Sequence, residues 1–401
     1  MLFLKGFRSG AVSIFMVVFS ILVITIITVG FLRLMIADQQ QAANNDLSQS
    51  AYDSALAGVE DAKRALLAHQ RECSSDPSSC SPGKARIASS TCNQALVSVV
   101  AAPVEADGKI GEVPVQRSRG STRDAKLDQA YTCVTITPDT ADVEGNLAAG
   151  QSKIIPLKAL SAFDRVTVSW FTKSDVTNAA GTISLPGSTP SNRQLTRTQD
   201  WPSNKPSVMR SQFMQFGSEF TLESFDYQTV SGQSNANTAF AYPTNLASIP
   251  ILNLTDIDQR RVEGSEQPSQ ASNGNAPVAA SCAQSRVTLG GYACSVTYVL
   301  PGPVDGGTRS AFLRLTPFYN ATHFKVELKN SSDATVLFDG VQPSVDSTGR
   351  ANDLFRRVQA RVEMGSYDTF PFPEGVIDTT GNICKDFAVT PDAYIPGSCT
   401  P

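Results

Sequence analysis

From Ala11 to Leu32 every residue is apolar, a glycine or a small hydroxyl, and none carries charge. As a helix these 22 residues extend about 33 Å, enough to cross a bilayer core of about 30 Å. A helix suits that setting because it satisfies its own backbone hydrogen bonds. The pattern then changes character. Leu47, Ala51, Ala55, Val59, Ala62 and Leu66 recur at spacings of three and four, while Asp38, Asp46, Asp53, Glu60 and Asp61 fall off that stripe. Residues 38–70 hold no proline and one glycine, Gly58. The two patterns predict one helix from about Ala11 to about Ala68, apolar all round in its first half and one-faced in its second. Its weakest point is Gln39–Asn45, where it would divide into a span and a separate helix.

Beyond the helix the period becomes two. Residues 71–90 are rich in serine, proline and cysteine and read as a loop that ends the helix. A further helix over Cys92–Val100 is expected, then a polar loop over 102–128 that carries Arg117, Arg119 and Arg123. From Tyr131 the alternation is that of strands. Arg165–Thr172 is the clearest, with Val166, Val168 and Trp170 on one face. Lys153–Lys158 is an edge candidate because of Pro156. Further strands are expected at Ser211–Phe216, Glu219–Ser224, Arg286–Gly290, Ala293–Leu300, Ser310–Pro317, His323–Leu328, Thr335–Phe338 and Arg356–Met364. Polar stretches at 174–206 and 253–281 read as surface loops. The fold class is α+β: a long N-terminal transmembrane helix packed on a large β-rich head, an antiparallel sheet or a β-sandwich.

The leader Met1–Gly10 holds two cations, Lys5 and Arg8. Basic residues beside a first span favour keeping that end in the cytoplasm, so the head is expected outside. The apolar run is too long for a secretory signal, and no Ala-x-Ala-like cleavage site follows it. Ser9-Gly10 followed by Ala11-Val12-Ser13-Ile14 resembles the leader junction of type IV prepilins and pseudopilins. The resemblance covers roughly residues 1–70. It implies cleavage by a prepilin peptidase between Gly10 and Ala11, a long helix shared between membrane and head, and packing of that helix against other pilin subunits. The family's repeating subunits usually carry Glu five residues into the mature chain; here that residue is Phe15. An unpaired charge in an apolar bundle is costly, so the family Glu would pair with a neighbour's terminal amine. Its absence makes this chain more similar to a minor or tip-located pilin. The implied segments are a leader 1–10, a span and stalk helix 11–70, a disulfide-stapled region 71–130, a β-rich head 131–365 and a C-terminal disulfide loop 366–401.

Composition agrees with an exported folded head. Of 401 residues, 41% are hydrophobic and 17% charged, which is not a disordered composition. The net charge of −4 gives no case for nucleic acid, and none for anionic lipid beyond the leader. Eight cysteines in an exterior protein point to disulfides. They allow 105 pairings. Nearest neighbours are expected to pair: Cys73–Cys80, Cys92–Cys133, Cys282–Cys294 and Cys384–Cys399. Buried free thiols are the alternative. Metal ligation is disfavoured because no Cys-x-x-Cys spacing occurs and only His69 and His323 could assist. The resemblance implies that the last pair staples an exposed C-terminal loop.

Catalytic chemistry finds little support. A Ser-His-Asp or Cys-His site would need His69 or His323; the first reads as solvated or capping at the helix end, the second as a surface strand position. Asp139, Asp142 and Glu144, Asp256 and Asp258, and Glu263 and Glu266 are local carboxylate groups of a glycosidase type, but all lie in polar stretches. Asp256, Asp258 and Asn253 lack the spacing and closing Glu of a calcium loop. Gly290-Gly291 and Gly306-Gly307 read as turns before strands, not phosphate cradles. Of Trp170, Trp201, Tyr227, Tyr242 and Phe318, a sugar-binding set in principle, Trp170 reads as core and Trp201 is the one ligand-contact candidate. No enzyme activity, cofactor or metal is expected. The favoured reading is a non-catalytic minor pilin or pseudopilin that displays its head for adhesion or assembly initiation. Its partners would be other pilin subunits, a prepilin peptidase, the membrane, and a surface ligand or host-cell receptor. The alternatives are a single-pass membrane-anchored surface binding protein outside any filament, and an exported enzyme on a helical tether.

Overall fold

The structure, a computed structural model, describes residues 10–100, 111–115, 128–193, 195–218, 235–254 and 277–364. Residues 1–9, Arg117, Arg119, Arg123, Glu219–Ser224, Tyr227, Asp256, Asp258, Glu263, Glu266, Cys384 and Cys399 lie outside this set, and so does the proposed C-terminal loop.

One continuous helix, α1 (Gly10–Ser75), opens the chain. It does not break at Gln39–Asn45, where glutamine and alanine are good helix formers and no glycine or proline interrupts. It also outruns its expected end near Ala68. The stop comes from Pro77, which disfavours helical geometry in the residue before it. Asp76 is accordingly extended and its carboxylate accepts the Ser78 N–H at 3.0 Å. The Cys73–Cys80 disulfide then folds a second helix, α2 (Cys80–Ile87), back beside the first. The expected helix over Cys92–Val100 is reduced to a 3-10 turn at Gln94–Leu96. Asn93 enters it with φ of 62°, and its buried side chain is committed to the Gly111 and Thr132 carbonyls and the Val134 N–H. Cys92–Cys133 pins this turn to the sheet.

Fifteen strands follow among the described residues. They are β1 (Val113–Pro114), β2 (Gln129–Thr137), β3 (Asp142–Leu147), β4 (Lys153–Pro156), β5 (Phe163–Trp170), β6 (Val208–Gly217), β7 (Ala236–Thr244) and β8 (Ile251–Asn253). The rest are β9 (Val278–Cys282), β10 (Cys294–Val304), β11 (Arg309–Phe318), β12 (Thr322–Lys329), β13 (Thr335–Val336), β14 (Ser344–Ala351) and β15 (Leu354–Arg361). The strand expected at Arg286–Gly290 is instead a short helix, α3 (Gln284–Thr288), whose Arg286 caps the Ser281 carbonyl at 2.8 Å. It joins β9 to β10, and the Cys282–Cys294 disulfide ties the two strands.

The head expected as one β-rich unit, 131–365, contains two sheets. The smaller has the order β1-β2-β14-β15 and is antiparallel throughout. The larger runs β13-β12-β5-β10-β9-β7-β6-β11-β4, with β3 beside β12 and β8 beside β10. It is mixed, since β7–β9 and β8–β10 are parallel. Pro156 does place β4 at its edge. The larger sheet curls: Phe213 of β6 meets Tyr298 of β10 at 5.0 Å between ring centroids, although two strands separate them in the sheet. Trp170, Val166, Val168, Phe163, Leu313 and Phe324 share its core.

The chain leaves the smaller sheet at Thr137 and re-enters it at Ser344, directly opposite. The larger sheet is therefore an insertion between two paired strands. Polar contacts buckle the two crossings together. Lys84 of α2 reaches Asp139 at 2.8 Å and Asp339 at 2.6 Å. Gln342 exchanges hydrogen bonds with the Glu144 backbone at 2.7 and 2.9 Å.

Candidate functional site: the two halves of the N-terminal helix

In Ile14–Ile36 the large apolar side chains face outward on every side of the helix. Phe15 is 78% exposed, Ile24 62% and Leu34 67%. The hydroxyls in this run are satisfied within it: Ser20, Thr25 and Thr28 donate to the carbonyls of Met16, Ile21 and Ile24 at 2.7–2.8 Å. From Ile14 to Leu32 these three are the only polar side chains. A single helix of this length and composition can span a membrane. A Cβ added at Gly30 would meet nothing within 4 Å beyond the helix's own turns. Among the described residues no packing partner covers the rod.

The second half is the reverse. Ala51, Ser54, Ala55, Gly58, Val59, Ala62, Ala65 and Leu66 are buried, and the positions between them stay largely exposed. The buried stripe lies on β2, β14 and β15. Small residues meet small residues there, so the backbones approach closely. A Cβ on Gly349 would run into the backbone of Ala51, Ser54 and Ala55, and one on Gly58 into Ser347 and Val134. Ser347 donates to the Ala55 carbonyl at 2.7 Å, and the Tyr131 hydroxyl donates to Asp61 at 2.8 Å. Burial, then that bond, pushes the Tyr131 phenol well above its ordinary range. Arg64 pairs with Asp61 at 2.7 Å.

Trp201 is not the free ligand contact expected of it. Its indole is 7% exposed. Tyr319 stacks on one face at 4.0 Å and 5°, and Lys205 Nζ lies 3.8 Å from the ring centroid. With Val208 and Tyr242 it forms a small core that rivets the 174–206 stretch to the larger sheet. That stretch is therefore a packed excursion with three 3-10 turns, not a free loop. Trp170 is core, as read, and its indole donates to the Ser207 carbonyl at 2.9 Å.

The titratable candidates are dispersed. His69 is wedged against the staple, 3.6 Å from Cys73 Sγ and in the space beside Gly83, and burial lowers its pKa. This differs from a solvated helix end. His323 stands on β12 with Nδ1 2.7 Å from Asp175, whose carboxylate also accepts the Thr172 and His323 N–H groups. Asp139 holds Lys84, Asp142 holds Arg361 at 2.6 Å, and Glu144 accepts from Tyr292 at 3.4 Å. The three carboxylates are thus tied into different contacts. Among the described residues no group of three His, Cys, Asp or Glu converges as a metal site would require. Gly306-Gly307 is a turn, as read: the Thr308 hydroxyl, then the N–H groups of Arg309, Thr308 and Gly307, donate to Asp305 and hold its carboxyl far below the usual range. An open groove of about 620 Å³ lies between Asn44 and Leu47 of α1 and the β14–β15 turn. Its arginine, Arg350, is engaged by Glu112 and Asp128 at 2.6 and 2.8 Å.

The sequence reading missed the residues that receive the helix, Ser347 and Gly349. Their signal was a small-residue alternation, Val345, Ser347, Gly349, Ala351, matching the small-residue stripe on α1. Compared with protein families, with curated proteins and with solved structures, the chain matches none.

Proposed function

We propose that this chain is a minor subunit of a type IV pilus-like filament, held in the membrane by its N-terminal helix before assembly and displaying the inserted sheet outside. One observation carries the reading: a single unbroken helix supplies both an uncovered apolar rod and the seam on which the head is mounted. A rod of that kind is a stable membrane span, and it can exchange lipid for the apolar helices of other subunits without disturbing the head. Because lipid and a helical bundle are both apolar, the hydrophobic effect does not separate them; close packing decides. Ala11, Ser13, Ser20 and Gly30 are the small residues available for it. Phe15 in place of the family's Glu removes a charge pairing that repeating subunits use, which suits a subunit present at the tip or side. The head's role is adhesion or assembly initiation, not catalysis.

The test is mass analysis of the protein's N-terminus from cells. A chain that begins at Ala11, and a Gly10→Ala variant that keeps Met1, support the reading. An intact Met1 in cells with an active prepilin peptidase overturns it in favour of an uncleaved anchor.

A further inference from the structure

The cations of the described residues differ in what they meet. Many sit against carboxylates: Lys84 on Asp139 and Asp339, Arg350 on Glu112 and Asp128, Arg361 on Asp142. Others do not: Arg193, Arg286 and Arg356 hold a carbonyl or a hydroxyl, and Lys205, Arg210 and Arg314 also have no ion pair. Lys205 and Arg210 contact rings and hydroxyls, and among the described residues none of the three has a carboxylate within ion-pairing distance. All three belong to one region, the outer face of β6 and β11 and the turn that precedes β6. Arg210 stands opposite Thr316 and Arg314 opposite Gln212, so the two guanidinium groups occupy diagonal neighbouring positions. Like charges so placed weaken a sheet.

Lys205 and Arg210 are also fixed. Arg210 donates to Thr316 Oγ1 at 3.2 Å, lies 5.2 Å over the Phe318 ring, and keeps a buried Nε without an acceptor. Lys205 Nζ lies 4.6 Å from the Tyr242 ring centroid and donates to its hydroxyl at 2.7 Å. Asn320 holds the Lys205 carbonyl at 2.7 Å. Burial pulls the Lys205 amine down to about 8, and lowers Arg210 with help from the Arg314 charge. Stability alone would place a carboxylate here, or remove the cations.

We propose that this face binds an anionic polysaccharide, its carboxylate or sulfate groups held by Arg210 and Arg314 and, further along, by Lys205. A guanidinium fork takes either anion in a bidentate pair. Two neighbouring guanidinium groups with aromatic rings beside Arg210 and Lys205 fit a polymer that carries its anions on sugar rings. Nucleic acid fits less well. The protein is acidic overall, and the indole a base would stack on has Tyr319 on it and Lys205 over the ring.

The inference rests on the reading that the head faces the exterior, where such polymers occur. The test uses purified full-length chain in detergent micelles, so its failure leaves the filament assignment standing. Binding of labelled dextran sulfate, polygalacturonate, uncharged dextran and a DNA oligonucleotide is compared by fluorescence anisotropy. Binding to at least one of the two anionic polysaccharides and not to uncharged dextran is expected, and the tighter of the two names the anion. Arg210→Gln with Arg314→Gln should weaken binding at least tenfold and flatten its salt dependence, with the unfolding midpoint kept or raised. Lys205→Gln should weaken it a few-fold. Lys63→Gln with Arg71→Gln, on exposed positions of α1, should leave it unchanged. Binding that survives the double arginine variant, equal binding of uncharged dextran, tighter binding of DNA, or no binding to either anionic polymer overturns the proposal.

Discussion

Ile14–Ile36 and Ala51–Leu66 belong to one helix, yet the first half exposes large apolar side chains on every side and the second buries a narrow stripe of small ones. The contrast shows how residue size sorts two kinds of partner. Large side chains all round suit a fluid or many-sided apolar surrounding, because no single face is privileged. A stripe of Ala, Ser and Gly suits one fixed partner at short range, because backbone can approach backbone only where side chains are small. The head is thus mounted on the helix by shape, and the rod is left for something that is apolar from all directions.

The difference can be broken from the docked side first. Removing the Cys92–Cys133 bridge, which closes a loop with a sequence separation of 41, should lower head stability by about 4 kcal/mol from chain entropy. Chemical denaturation of Cys92→Ser with Cys133→Ser checks this, and membrane retention should be unaffected. Gly349→Val comes next. Its side chain has no room against the α1 backbone, and overpacking of this kind costs about 3 kcal/mol, readable as a lower unfolding midpoint. From the other side, Ile24→Arg should disfavour membrane insertion by about 3 kcal/mol and leave the head's midpoint within error, since Ile24 is packed against no described residue of the head and stays 62% exposed. Fractionation of the variant reads the first effect and thermal unfolding the second.

The smallest effect sharpens the seam. Tyr131→Phe removes the bond to Asp61, worth about 1–2 kcal/mol. It should also change the pH profile. The Tyr131 phenol titrates above its unfolded value near 10, so the folded state keeps the proton longer. Stability is then full below about pH 10 and falls as pH rises beyond it. In Tyr131→Phe that alkaline loss should shrink, measured as the denaturation midpoint across pH.

Where a segment's pattern was local, the sequence carried it. The apolar rod, the one-faced stalk and the alternation of Val166, Val168 and Trp170 need only their own neighbours to be read. The pairings Cys73–Cys80, Cys92–Cys133 and Cys282–Cys294 also followed chain proximity. β14 did not show, because its buried residues are Val345, Ser347, Gly349 and Ala351: the helix lies so close that large apolar residues are excluded, and the hydrophobic signal goes with them. β7 was hidden because nearly all of it is buried, on both faces, which erases alternation. The insertion of the larger sheet rests on β2 pairing with β14 across more than 200 residues, and no local pattern encodes that. Trp201 misled for a related reason. Its partners arrive from far along the chain, Tyr242 from β7 and Tyr319 from the turn after β11, so an aromatic in a polar stretch looked exposed.

The central claim is that the rod's uncovered surface is closed by the helices of other subunits. A photo-crosslinking residue at Ile24, activated in filaments sheared from cells, tests it most directly. The account predicts covalent adducts between this chain and the apolar N-terminal helices of other filament subunits. Adducts confined to lipid, or to this chain's own head, with none in the sheared fraction, would contradict it.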